Sequence, residues 1–305
     1  MNVQNGYKGI DVEIISYTKH PGKIIWDMLK QTWISLHDKE YDPNDPTVRE
    51  FIEDSLAKRL NPVPQETILI QVVFKGISRV NLAQLTRHRG WIFNSESQMP
   101  QPVNHNVLVP LNIMNSEFRD RALKLIEDSQ KLYDDMVAGN ENRETTNIPY
   151  QDARYLLIHG QTADISASFT LPQLVGAVGM RLENNTHDEI NYTFRILLKK
   201  LRDAVFFDEE MDELDKMIYN RMLDNCDVFG ANRHVGTCHD AMFGNSFKRF
   251  PDADSFVTKT TDECLFDYKK LAWYQELKRM YVEEPELLLH GEREMIESWM
   301  NEDCE

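Results

Sequence analysis

The chain has 305 residues, 41% of them hydrophobic, with five Trp, eleven Tyr and fourteen Phe; this is enough apolar material for a large core and excludes a low-complexity or disordered protein. Its formal charge of −16, from 34 Lys and Arg against 50 Asp and Glu, argues against a general nucleic-acid binder, which needs cations to neutralise phosphates. No apolar run approaches the roughly 18 residues of a membrane span and the first residues carry no basic-then-apolar leader, so a soluble, cytoplasmic protein is expected.

Asp11 to Tyr17 has the Val, Ile and Tyr of a strand, and Pro21-Gly22 opens a helical stretch through Ser35. A second helix is expected from Val48 to Arg59, ended by the turn at Asn61-Pro62-Val63-Pro64. Thr67 to Phe74 is the strongest strand; its nearly continuous apolar run predicts burial on both faces, and Gly76 is expected to end it. Ser78 to Thr86 reads as a short helix delivering Arg87-His88-Arg89, followed by an ordered loop from Asn94 to Asn106. Asn115 or Ser116 is expected to cap a helix to Val137 with Phe118, Ala122, Leu125, Ile126, Leu132 and Tyr133 near one face. Helices are expected again at Tyr150 to Ile158, carrying Arg154, and at His187 to Val205. Beyond about Gly230 the composition changes, and Leu271 to Glu305 reads as an acidic helical finish.

Cys226, Cys238, Cys264 and Cys304 form neither a CxxC pair nor a disulfide framework, so reduced thiols are expected. His234, Cys238 and His239 are the only close His/Cys group, too few ligands for a closed structural zinc site. His187-Asp188 reads as a solvated helix start, and Asp208-Glu209-Glu210 as surface charge. Trp273, Tyr274, Tyr281 and Trp299 suit either an ordinary core or an interface.

From Thr67 through Ser95 there is no Asp or Glu, while Lys75, Arg79, Arg87 and Arg89 supply four positive charges. Part of that deficit reflects a buried strand. The Arg-His-Arg cluster adds two planar forks suited to phosphate oxygens, so an anion site is expected here; the alternative is a surface cluster paired with distant acids.

Gln84-Leu85-Thr86-Arg87-His88-Arg89, with Ser97 after seven further residues, resembles the signature of the flavin-dependent thymidylate synthase family. Gln31 to Ser35, Pro64-Gln65-Glu66 and Val107 to Pro110 align with flanking segments of that family, and Ala153-Arg154, Met180-Arg181 and Glu189-Ile190 fall at its downstream positions; the resemblance covers roughly residues 10 to 220. It implies an α+β fold with a central, mostly antiparallel sheet flanked by helices over residues 1–230, and a mostly helical C-terminal extension is expected over 231–305. It further implies that Arg87, His88, Arg89 and Ser35 bind FAD, that Gln84, Ser97 and Arg154 hold a pyrimidine deoxynucleotide, and that Arg181 faces the pyrimidine and acts on the reacting ring. The implied reaction moves one carbon from methylenetetrahydrofolate to C5 of dUMP, with NADPH reducing FAD. Because family members share sites between the subunits of homotetramers, a homo-oligomer is implied too.

Three segments depart from the family pattern. Asn94-Ser95-Glu96-Ser97-Gln98-Met99-Pro100 stands in place of Asn-Glu-x-Ser-x-Arg-Tyr, Thr170-Leu171-Pro172 in place of a flavin-contacting Asn-Ala-Arg, and Pro62-Val63 in place of a His. They leave open the same reaction with substituted contacts, hydroxymethylation of dUMP or dCMP, or nucleotide binding without turnover in an assembly protein.

Overall fold

A computed structural model describes residues 2–57, 60–97, 102–138, 148–182, 186–220, 222, 274–289 and 292–302. In chain order its principal elements are β1 (Asn2–Asn5), β2 (Asp11–Tyr17), α1 (Pro21–Thr32), α2 (Pro46–Leu56), β3 (Leu69–Ser78), α3 (Arg79–Leu85), β4 (Ile92–Ser95), β5 (Asn106–Val109), α4 (Leu111–Met114) and α5 (Arg119–Val137). They continue with α6 (Tyr150–Ala153), β6 (Thr162–Thr170), α7 (Leu171–Arg181), α8 (Asp188–Phe206), α9 (213–220), α10 (Tyr274–Glu283) and α11 (Glu292–Glu302).

The main sheet has the order β2-β3-β6-β4 with every pairing antiparallel, and β1 pairs with β5 in a separate parallel ribbon. In β3, Ile70, Val72 and Phe74 are fully buried, while Leu69 is 50% exposed and Gln71 is exposed. The apolar run is therefore buried on one face only. Helices α7 and α8 pack on that face, and the opposite face presents Leu69, Gln71 and the half-buried Val73, Ser166 and Ser168. Gly76 does not end the strand: with φ of +66° it sits in a bulge between Phe74 and Ile77, and a Cβ there would meet the Gly9 carbonyl oxygen at 2.9 Å.

Helix α8 runs through the core, with Ile190, Phe194, Leu197, Leu198 and Leu201 all buried, at the positions its sequence periodicity predicts. Helix α1 begins at Pro21 without a side-chain cap of its own; Asp215 of α9 supplies one by accepting from Gly22 N at 2.8 Å. Helix α5 turns differently from the sequence expectation. It buries Ile126, Gln130 and Tyr133, whereas Phe118, Leu125 and Leu132 are 56%, 65% and 49% exposed, because the row Leu125–Leu132 lies on another side of the helix. The expected helix around Arg154 is only α6 followed by a 3₁₀ turn over Arg154–Leu156.

Asp208 is not surface charge: it is 8% exposed and accepts from the Tyr17 hydroxyl and the Lys19 ammonium. All four cysteines, His234, His239 and Trp273 lie outside the described residues. Leu277, Met280, Leu287, Leu289 and Ile296 belong to the same core cluster as the sheet and α8, and Glu276 accepts from Tyr7 N at 3.3 Å. Among the described residues no helix is long and apolar enough to cross a membrane.

Candidate functional site

The site is set by the placement of α3. Ser78 caps this helix, its Oγ accepting from Asn81 N at 3.1 Å, and is itself held by α8: Ser78 N donates to Glu189 Oε1 at 2.7 Å and Ser78 Oγ to Glu189 Oε2 at 2.5 Å. Burial pushes the Glu189 carboxyl pKa up, and the hydrogen bonds from Ser78 and Asn81 oppose that rise. The far end of α3 then presents Gln84, Arg87 and His88 at a fixed angle to α7.

Helix α7 is equally well defined. Thr170 and Gln173 form a reciprocal capping box, and the Thr170 hydroxyl also donates to Glu66 Oε2 at 2.8 Å. At the other end of α7, Arg181 occupies the last turn, where a cation complements the helix dipole. Its Nε donates to His88 Nε2 at 3.0 Å, Nη1 to Gln84 Oε1 at 3.4 Å, and Nη2 to the Gln84 carbonyl at 3.2 Å. The guanidinium is half-buried; burial and then the nearby Arg87 charge pull its pKa down, but an arginine remains charged at any working pH.

His88 is 8% exposed, and its ring stacks on Trp91 with centroids 5.0 Å apart and planes at 26°. Trp91 in turn stacks on Phe169 of β6 at 3.9 Å. Burial, reinforced by the Arg181 charge, pushes the His88 pKa down to about 4. Gly90 makes the turn between them, with φ of +85°, and a Cβ there would lie 2.6 Å from Gln173 Nε2.

Arg87 and Arg89 are exposed, and among the described residues neither guanidinium has a hydrogen-bond or ion-pair partner. Two unpaired forks beside each other suit the oxygens of a diphosphate such as that of FAD. Ser35, in a 3₁₀ turn over Ile34–Leu36, is also exposed and is not joined to this cluster.

A second cluster forms where β3 ends. Arg79, the first residue of α3, is half-buried with its Nε lacking a partner among the described residues. Burial lowers its pKa, with the Glu96 charge opposing and the like charge of Arg154 adding to the fall. Sequence reasoning counted Arg79 in the basic island but gave it no role; its place at the helix start after Gly76-Ile77-Ser78 was the available signal. Next to this cluster lies a cavity of about 810 Å³ lined by carboxamides of Asn2, Gln4, Asn94, Asn104 and Asn106, with Glu96 and Asp164. Ser97 is exposed and follows Glu96 directly. Gln84, His88 and Arg181 do not line this cavity. Arg79 and Arg154 do not line it either, and of these candidate residues Glu96 alone does. Among the described residues no His, Cys, Asp and Glu cluster could hold a metal ion.

The frame is α+β with an antiparallel main sheet, with Arg79 at the start of α3 and Arg181 in the last turn of α7. The family model described as thymidylate synthase complementing protein matches residues 13–205, and the chain belongs to that family, as a divergent member. Its curated relatives include the flavin-dependent thymidylate synthase of Sulfolobus acidocaldarius, 26% identical over 200 residues, which span 64% of this chain and 72% of that protein. The enzyme of the same description from Saccharolobus solfataricus is 27% identical over 192 residues, 59% of this chain and 68% of that one. Among solved structures, the UMP/dUMP methylase PolB from Streptomyces cacaoi, bound with 5-Br dUMP, shares the fold with a TM-score of 0.55 at 15% identity, covering 73% of this chain and 97% of that one.

Proposed function

We propose that this protein transfers one carbon from methylenetetrahydrofolate to C5 of dUMP. The observation that carries the reading is Arg181, fixed by three hydrogen bonds to Gln84 and His88, residues that all stand at positions of the family signature. When the ring is activated so that C5 can attack the one-carbon unit, negative charge accumulates on the pyrimidine carbonyl edge, and a pre-oriented guanidinium lowers the energy of that charge without reorganisation. Arg154 and Arg79 bind the nucleotide phosphate; the Arg79 Nε without a partner among the described residues supports this, and an anion would offset the like charge that Arg154 adds. Ser97 and the carboxamide-lined cavity hold the rest of the nucleotide. Arg87, Arg89 and Ser35 hold FAD. Bound FAD supplies electrons, received from NADPH, that take the transferred carbon from the methylene to the methyl level.

A homo-oligomer, with a tetramer as the family-like form, belongs to the same reading. One observation favours a second reading. Where the family has a flavin contact, Thr170 is engaged in the α7 capping box and Leu171 is fully buried, so hydroxymethyl transfer, which needs no net reduction, fits that segment better. Incubation with dUMP or dCMP, methylenetetrahydrofolate, FAD and NADPH, followed by mass analysis of the nucleotide, separates the two. A product heavier by a methylene unit supports methylation, one heavier by a hydroxymethyl substitution supports the second reading, and unchanged nucleotide in every combination refutes both.

A further inference from the structure

We infer that His88 is a positioning residue for Arg181, held in place by Trp91, rather than a cofactor contact; the inference deepens the proposed reaction and rests on it for its kinetic consequence. The His88 imidazole is turned inward. One face lies on Trp91, which also stacks on Phe169 and lies near Phe93 and Phe194, and Phe194 of α8 approaches His88 with its centroid 5.8 Å away. The groups that face His88 are therefore Trp91 from its own loop, Phe194 from α8, and Arg181 from α7, with Arg181 its one charged partner among the described residues.

The chemistry of that contact dictates the state of the ring. Arg181 Nε can only donate, so His88 Nε2 must accept, and the imidazole is neutral with its proton on Nδ1. Burial and the neighbouring guanidinium act in the same direction, so the neutral state holds far below neutral pH. A guanidinium anchored at one terminal nitrogen could still rotate. Anchoring Nε on His88 while Gln84 takes one N–H from each terminal nitrogen fixes its plane and leaves one N–H on each terminal nitrogen for an incoming ligand. A donor of that kind matches a carbonyl oxygen such as those on the uracil ring. Trp91 is the shelf that keeps the acceptor in register, and Gly90, at φ of +85°, makes the turn in a backbone conformation that other residues rarely adopt.

Two measurements test the inference. The first is ¹⁵N NMR of His88 in the ligand-free protein at pH 7. A neutral ring with unprotonated Nε2 is expected, changing when Arg181→Met removes the donor; a charged ring, or a proton on Nε2, overturns the inference whether or not the protein turns over dUMP. The second compares His88→Leu with His88→Gln, whose side-chain oxygen reaches the position of Nε2. Leu is expected to lower kcat by up to roughly a hundredfold, the scale of a small misplacement of a catalytic group, with FAD titration unchanged, and Gln is expected to recover most of the loss. Weakened FAD binding with dUMP turnover preserved, or equal behaviour of Leu and Gln, overturns it. If wild-type protein fails to turn over dUMP while the NMR result is as expected, the assigned reaction fails and the His88–Arg181 coupling stands.

Discussion

Arg195 of α8 and Glu292 of α11 meet as a bidentate pair in the interior, Nη1 to Oε2 at 2.5 Å and Nη2 to Oε1 at 2.7 Å, with side-chain exposures of 0% and 5%. The remaining capacity of both groups is used: Arg195 Nε donates to Asn191 Oδ1, Nη1 also donates to the Leu287 carbonyl, and Glu292 Oε2 accepts from Leu289 N. The C-terminal helices are thereby tied to the helix that carries Glu189 and so to the frame of the site.

Breaking one side of this pair strands a buried charge. Glu292→Ala is expected to lower unfolding stability by about 3–5 kcal/mol, whereas the double replacement Arg195→Met with Glu292→Leu loses less because no charge is left unpaired. Urea unfolding of the three proteins checks this; an Ala variant within error of wild type would contradict it.

Asp188 gives a pH signature. Burial, with the charge of Glu276 adding to it, raises its pKa to about 7, despite its place in the first turn of α8, where a carboxylate is ordinarily favoured. The folded state holds this proton more tightly than the unfolded chain, so the contribution to stability is present below the ordinary carboxylate pKa and falls as pH rises towards 7. Asp188→Asn is expected to raise Tm at pH 8, with the gap narrowing through pH 5 and closing only below the ordinary carboxylate pKa of 3.8. Thermal melts across that range read it directly, and a gap that widens on acidification would refute it.

The phosphate assignment separates nucleotide from nucleoside. Arg79→Met and Arg154→Met are each expected to weaken dUMP binding by roughly tenfold to a hundredfold, the scale of a charge-assisted hydrogen bond, and to leave deoxyuridine binding nearly unchanged. Calorimetry with both ligands checks the pair. Equal losses for the two would move these arginines away from the phosphate.

Local chemistry made much of this fold legible. The bounds of β2, the capping of α3 by Ser78 and the buried row of α8 follow from strand propensity, a cap residue and helical spacing. The single-sided burial of β3 did not, because an apolar run does not say which face a helix will cover. Nor did the inward turn of His88: the Arg-His-Arg motif reads as three cations in a row, and only the stack on Trp91 and the donor from Arg181 separate the middle residue from its neighbours. Arg79 was visible as charge, but its unsatisfied Nε and the like charge that Arg154 adds arise from tertiary packing.

The most direct test of the central claim is release of tritium from dUMP labelled at C5, measured with methylenetetrahydrofolate, FAD and NADPH present. Substitution at C5 must expel that hydrogen, so the account predicts folate-dependent release by the wild-type protein and none by Arg181→Met that remains folded. Binding of dUMP without any release, under every combination of the three co-reactants, would contradict it.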